Sequence, residues 1–160
     1  MTTFLPEGFG VPMVLEADRF RLRPVTINDV IKDYDAVMSC RERLGELFGR
    51  AWPDPDLTPL RTLLDLDRSE KRFRGRSSFS YAVVSPDERR VLGRVHVNPS
   101  AKMGYDAEVG FWALSDELEH ELEDAVRTWL PEAWPFGRVA YPGRDIPWNE
   151  WNVLPDRRAA

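Results

Sequence analysis

The stretch Asp106–Leu130, DAEVGFWALSDELEHELEDAVRTWL, contains the change of pattern that decides the fold. Its first residues alternate between apolar and polar, which is the period of a β-strand with one buried face. The apolar residues then recur at helical spacing. This helical stripe consists of Leu118, Leu122, Val126, Trp129 and Leu130. The pattern therefore predicts a strand that runs directly into a long amphipathic helix.

The N-terminal half predicts one strand followed by helices. Polar and apolar residues alternate over Arg19–Arg23, which predicts a short strand. Thr26, with an acidic residue three positions later, has the pattern of a helix N-cap. Thr58–Pro59 predicts a second helix start, because proline suits the first helical position, and this helix reaches about residue 73. A shorter helix is expected between them, over Arg41–Phe48 and closed by Gly49.

The second half is predicted to be mainly strands. Phe79, Tyr81 and Val83 alternate along one strand, and Val91–Val97 forms the next. After the central strand and helix, Arg138–Tyr141 is expected to be a final short strand. With the shorter helix Arg41–Phe48 left aside, the predicted order is β, α, α, β, β, β, α, β, which indicates an α/β fold.

Length and composition predict one soluble globular domain. The chain has 160 residues with 42% hydrophobic and 31% charged residues, enough for one self-sufficient core. We expect an irregular lead-in over residues 1–13, the domain over residues 14–141 and a Trp/Pro-rich tail over residues 142–160 packed on it. No signal peptide or membrane span is evident, and the single cysteine, Cys40, suits a reducing compartment. These features predict a cytoplasmic protein, and the net charge of −5 argues against nucleic-acid binding.

The strand AEVGFW followed by a long helix resembles the central motif of the GCN5-related N-acetyltransferases. The opening RFRLRPVTINDV is also similar to the first strand and helix of that family, and the resemblance covers about Phe20–Tyr141. It implies a single-domain α/β fold with a central mixed sheet flanked by helices on both faces. It also implies transfer of an acetyl or acyl group from a coenzyme A thioester to an amine, with acetyl-CoA as the donor.

Two departures from the family pattern are visible. The family has a Gln/Arg-x-x-Gly-x-Gly/Ala turn that holds the pyrophosphate of the coenzyme, whereas the turn Ser115–Glu121 contains no glycine. Its carboxylates oppose a phosphate, at roughly 2–3 kcal/mol for a separation of ~6 Å and an effective dielectric of ~20. We also expect the C-terminal part of the fold to be shorter than in the family, because only 19 residues follow Tyr141 and the last helix and strands need about 30–40.

Glu108 is the best candidate for a catalytic residue, because acyl transfer to an amine needs a base and the family often has a glutamate at this strand position. His96 is the second candidate. If the loop between the strands is centred near Lys102, His96 lies opposite Glu108 in the antiparallel pair. A structural polar pair is the alternative for both residues. The resemblance places the coenzyme along the backbone of Val109, Gly110, Phe111 and Trp112. Two histidines and one cysteine cannot form a zinc site, so no metal is predicted.

Two functions remain open from the sequence. The first is an N-acyltransferase acting on a small-molecule or peptide amine, with Glu108 as the base. The second is a catalytically inactive acetyltransferase-like module that binds a small ligand or a protein partner. A gap between the central strand and Arg138–Tyr141, into which pantetheine inserts, favours the enzyme, and a gap filled by tryptophan favours the module. Trp134, Trp148 and Trp151 either pack over the truncated end or form a stacking pocket or a homodimer surface.

Overall fold

The computed structural model describes residues 3–48 and 52–158. The predicted closing glycine of the second helix, Gly49, lies outside the described residues. The strands are β1 (Leu15–Glu16), β2 (Arg21–Pro24), β3 (Phe79–Val84), β4 (Val91–Pro99), β5 (Ala107–Ala113) and β6 (Val139–Ala140). The helices are α1 (Val30–Ser39), α2 (Arg41–Phe48), α3 (Pro59–Arg74), α4 (Asp116–Ala133) and α5 (Trp148–Asn152).

The strands form one mixed sheet in the order β1-β2-β3-β4-β5-β6. All neighbours are antiparallel except β5 and β6, which are parallel. The parallel pairing covers only two positions, Ala107 with Val139 and Glu108 with Ala140. Beyond Glu108 the rest of β5 therefore has no ladder partner on that side, and a gap opens between the two strands.

Helices cover both faces of the sheet, as the sequence predicted. The alternate positions Tyr81, Val95 and Phe111 pack with α4 in one core cluster. Ala82, Val84 and Trp112 point to the other face and pack with α1, α2 and α3. The predicted apolar stripe of α4 faces the first cluster, where it is buried from Leu122 to Leu130 and partly buried at Leu118. The predicted α/β architecture is confirmed.

The helix starts follow from local capping. Thr26 accepts a hydrogen bond in a capping box with Asp29, as predicted, although the first turn is a 3₁₀ turn. Thr58 caps α3 through the backbone N–H of Arg61. In α4 the cap is Ser115, whose hydroxyl accepts from the backbone N–H of Leu118.

The predicted register between β4 and β5 is wrong by two residues, which is one pair of side chains on the same face of the sheet. His96 lies opposite Gly110, and Glu108 lies opposite Asn98. The reason is that β4 continues through Pro99, so the connecting loop is centred at Met103 rather than at Lys102. Because the shift is two residues along one strand, both side chains keep their face, and His96 and Glu108 remain diagonal neighbours.

Both ends of the described chain pack on the domain. The lead-in has no regular element before β1, but Leu5 is buried and Pro12 accepts a 2.6 Å hydrogen bond from the Tyr81 hydroxyl. The tail packs against the loop between β4 and β5. The Lys102 ammonium donates to the Leu154 carbonyl just after α5 and to the Asp156 carboxylate. Within the described residues, no strand follows β6.

Candidate functional site

An open cleft of about 530 Å³ lies where β5 and β6 begin to separate. Its floor is the polar face of β4 and β5 beyond the part covered by α1 to α3. One wall is formed by the end of α2 and by Trp52, and the other by the C-terminal tail. The lining residues are Phe48, Trp52, His96, Asn98, Glu108, Val109, Gly110, Pro142, Trp148 and Asn152. The structure thus brings both predicted catalytic residues into one cleft.

Glu108 is half-buried in this floor. Its Oε2 accepts a 2.8 Å hydrogen bond from the backbone N–H of Ala101, which fixes one side of the carboxylate. Its Oε1 accepts no hydrogen bond from the residues that the structure describes. The carboxylate therefore has one oxygen held in place and one available to a ligand in the cleft.

His96 is a neutral imidazole at physiological pH. Burial, together with the positive charge of Arg94, lowers the pKa of His96 to about 3. Its Nδ1 lies 2.9 Å from the Ser80 hydroxyl, which holds the ring in place. In this neutral state the ring carries no positive charge and contributes hydrogen bonding to the cleft.

The four residues predicted to contact a coenzyme have different surroundings. Val109 and Gly110 line the cleft. A Cβ placed on Gly110 meets no atom within 4 Å, so this glycine leaves the floor open above His96. Phe111 and Trp112 are buried in opposite core clusters, and their side chains do not reach the cleft.

The aromatic walls were not predicted from the sequence as parts of one site. Phe48 and Trp52 contact each other edge to face, with centroids 5.4 Å apart. Trp148 reaches across from the tail and donates from Nε1 to the Leu47 carbonyl at 3.0 Å. Gly143 permits this position, because a Cβ there lies 2.4 Å from Trp148 Nε1. Trp148 was noted in the sequence as a candidate for packing or stacking, but nothing local to Phe48 or Trp52 indicated a shared cleft.

The first turn of α4 is filled by its own side chains. Glu119 lies near the backbone N–H of Ala113, with Oε1 3.4 Å from that nitrogen. The carboxylates that the sequence predicted to oppose a phosphate are paired with arginines in the structure. Arg19 binds Glu117 and Glu121, while Arg43 binds Asp116 and Glu119. Each of these four carboxylates is therefore paired with an arginine distant in sequence, and the two arginines balance half of their charge.

Arg144 spans the gap between β5 and the chain that follows β6. Its Nη2 donates a 2.8 Å hydrogen bond to the Phe111 carbonyl, and its guanidinium lies 3.7 Å from the centroid of the Phe111 ring. The same nitrogen lies 3.5 Å from Glu119. Burial is the main cause that lowers the pKa of Arg144, which reflects its removal from water. The gap is thus closed by an arginine and not by a tryptophan.

These contacts do not fit a coenzyme bound in the manner implied by the family resemblance. The turn of α4 has no glycine, and its cap amide, that of Leu118, is occupied by Ser115. Glu119 lies beside the backbone N–H of Ala113, and Arg144 donates a hydrogen bond to the Phe111 carbonyl of β5, which faces the gap. A diphosphate at α4 and a pantetheine arm in the gap therefore both compete with side chains of this chain.

No metal cluster and no membrane-spanning helix occur in the described part of the chain. No group of three or more metal-ligating side chains is found in residues 3–48 and 52–158. Over the same residues, no helix is both long and apolar enough to cross a bilayer.

Comparison with known proteins identifies the fold. No family model matches the sequence, and no curated protein matches it. By structure, the chain is similar to the ribosomal-protein-S5-alanine acetyltransferase of Vibrio fischeri, with a TM-score of 0.58 and 14% identity over 76% of this chain and 69% of that one. It is also similar to the microcin C7 self-immunity acetyltransferase MccE, solved with acetyl-CoA and AMP, with a TM-score of 0.57 and 10% identity over 74% and 67% of the chains.

A third similar structure is a GNAT-family acetyltransferase from Bordetella pertussis, with a TM-score of 0.54 and 13% identity over 76% of this chain and 74% of that one. At these identities the likeness concerns the fold. The chain is therefore a divergent protein with the fold of the GCN5-related N-acetyltransferases, and the resemblance recognised in AEVGFW is confirmed at that level.

Proposed function

We propose that the cleft is the acceptor site of an N-acyltransferase, which binds a protonated amine and transfers the amine proton to Glu108. The observation that supports this most is the position of Glu108. It occupies the last paired position before β5 and β6 separate, and its carboxylate lines the cleft. An amine held there has a proton acceptor on one side and the strand gap on the other.

Glu108 and His96 have different roles in this proposal. An ammonium ion is not nucleophilic until it loses a proton, and a carboxylate positioned in the site accepts that proton. The Ala101 N–H holds Oε2 of Glu108, so Oε1 is the oxygen directed to the ligand. His96 stays neutral and acts as a hydrogen-bonding group, with Ser80 fixing its ring.

The acyl donor in this proposal is supported by fewer observations than the amine acceptor. MccE, which shares the fold, was solved with acetyl-CoA, and this supports a coenzyme A thioester as the donor class. In the present chain the contacts of Arg144 and Glu119 oppose the usual placement. Acetyl-CoA is therefore proposed as the donor only in a conformation in which Arg144 has left Phe111.

The Arg144–Phe111 contact favours a second candidate function. If the arginine remains in the gap under all conditions, no thioester enters, and the protein is an acetyltransferase-like module that binds an amine without modifying it. In both candidate functions an amine binds in the cleft, and the two differ only in whether an acyl donor also binds.

Calorimetric titration with acetyl-CoA and a mass-spectrometric transfer assay over a panel of amines distinguish the two candidates. Donor binding with transfer that falls roughly 100-fold in Glu108→Gln supports the enzyme, since general-base catalysis contributes about 10²–10⁴-fold. Glu132→Gln is the matched control, because Glu132 is an exposed acid on α4 outside the cleft. Absence of binding and transfer at millimolar donor supports the module. Equal loss of transfer in both variants contradicts the assignment of Glu108.

A further inference from the structure

The cleft combines aromatic walls with a single formal charge. Phe48, Trp52 and Trp148 line it, and the one ionised side chain in its lining is Glu108. No lysine or arginine belongs to the described lining, and His96 is neutral at physiological pH because its pKa is about 3. The one formal charge in the lining is therefore negative, and the walls of the cleft are aromatic.

Such surroundings select ligands by charge. A cation near an aromatic face is attracted by the ring quadrupole, and the attraction grows when water is excluded. A carboxylate in the same cavity adds to this attraction and repels anions. A volume of about 530 Å³ lies within the range of small-molecule sites.

We propose that the cleft is selective for compact organic ammonium ions, held against the faces of Trp52 and Trp148 with Glu108 as the counter-ion. This inference rests on the proposed amine-binding function and names the chemical class of its ligand. The aromatic side chains recognise the charge and the apolar shape around it, so amines with apolar substituents bind better than hydrophilic ones. Anionic and neutral ligands of the same size are expected to bind more weakly.

A quaternary ammonium ion is the sharpest probe, because it has the charge and shape of the ligand class but no proton to lose and no nitrogen lone pair to acylate. Choline is titrated against 3,3-dimethyl-1-butanol, its neutral carbon isostere, with calorimetry and tryptophan fluorescence as readouts. We expect choline to bind at least tenfold more tightly than the alcohol. Equal affinity for the two compounds, or no binding of choline at millimolar concentration, overturns the inference.

Two variants locate the site, and a third serves as a control. Gly110→Val narrows the floor of the cleft and places its Cβ where no atom lies within 4 Å, so we expect the fold to be kept and choline binding to be lost. Glu108→Gln removes the charge at constant shape and is expected to weaken choline binding about tenfold. Glu132→Gln removes a charge outside the cleft and is expected to leave affinity unchanged. Full retention of affinity in folded Gly110→Val contradicts this location.

The ring contribution is tested at the two walls separately. Trp52→Leu and Trp148→Phe are each expected to weaken choline binding severalfold while the alcohol is little affected. Trp148→Phe keeps a ring but loses the hydrogen bond to Leu47, so circular dichroism checks that the tail remains packed. Choline binding without any acyl transfer supports the cation site and rejects the proposed acyltransferase activity. Acyl transfer without choline selectivity supports the enzyme and rejects the cation site.

Discussion

Replacing Arg144 by alanine has two opposite expected effects, one on stability and one on donor binding. The wild-type guanidinium donates to the Phe111 carbonyl, lies over the Phe111 ring and approaches Glu119. The alanine variant leaves the carbonyl without this donor and opens the gap between β5 and β6. Glu119 keeps a partner, because Arg43 still binds it at 2.7 Å.

The loss of stability follows from these contacts. A hydrogen bond from a charged donor contributes about 1.5–3 kcal/mol, and a cation over a ring about 0.5–2 kcal/mol. Because the two contacts share one side chain and are not additive, we expect a loss of roughly 2–4 kcal/mol in the free energy of unfolding. At ~2–4 °C per kcal/mol for a domain of this size, the melting temperature should fall by about 5–15 °C.

The gain in donor binding comes from the same contacts. If pantetheine must displace Arg144 from Phe111 and this competition costs about 2–3 kcal/mol, its removal lowers the Kd for acetyl-CoA by roughly 30- to 150-fold. Calorimetry measures the Kd, and thermal unfolding measures the stability. Arg74→Ala is the control, because Arg74 is an exposed cation in the last turn of α3, and neither quantity should change.

A folded Arg144→Ala protein with an unchanged or higher Kd for acetyl-CoA refutes this reasoning. That result means that the gap is not a donor channel and that Arg144 is solely a structural contact. The amine-binding module is then the surviving function.

Three further predictions concern stability and the shape of the cleft. Burial lowers the pKa of His96 from 6.5 to about 3. Between those pH values the unfolded chain binds more protons at this residue than the folded chain does, so the free energy of unfolding falls as the pH is lowered from 6.5 towards 3. Urea titrations over that range should show a flatter pH dependence in His96→Gln and an unchanged one in His120→Gln, because His120 is exposed. Gly143→Ala places a methyl group against Trp148 at a φ of +80°, so it should lower the melting temperature and weaken choline binding, whereas Gly10→Ala meets no atom within 4 Å and should do neither. Asp33→Asn breaks the buried 2.7 Å pair with Arg94 and should destabilise by roughly 3–5 kcal/mol, against at most about 0.5 kcal/mol for Asp67→Asn, which breaks an exposed pair with Lys71. Equal effects of Asp33→Asn and Asp67→Asn in chemical denaturation contradict the role of burial.

The local elements were largely predictable because their causes are local. Thr26, Thr58 and the apolar stripe of α4 each act within a few residues of the chain, and each predicted the element that the structure shows. The alternation in β5 also predicted which side chains share a face. The register between β4 and β5 was not predicted correctly, because it depends on where the connecting loop closes, and a shift of two residues leaves the alternation unchanged.

Only the part of the candidate site that lies on β4 and β5 was predictable from the sequence. Glu108 and His96 were indicated by residue type and by their position on neighbouring strands, and both line the cleft. Their roles differ in a way that the sequence did not show, since the pKa of His96 depends on burial and on Arg94. The aromatic walls come from two distant segments, one with Phe48 and Trp52 and the other with Trp148, and no periodicity relates the two.

The sequence by itself determined the fold class, the position of the central strand and helix, the absence of a glycine turn at α4 and the candidacy of Glu108. Each of these depends on neighbouring residues along the chain. Only the tertiary structure decided that arginines pair with the carboxylates of the acidic turn and that Arg144 closes the strand gap. Only it showed that the tail provides one wall of an aromatic cleft. These features are contacts between segments up to about a hundred residues apart, and such contacts exist only when the sheet has brought those segments together.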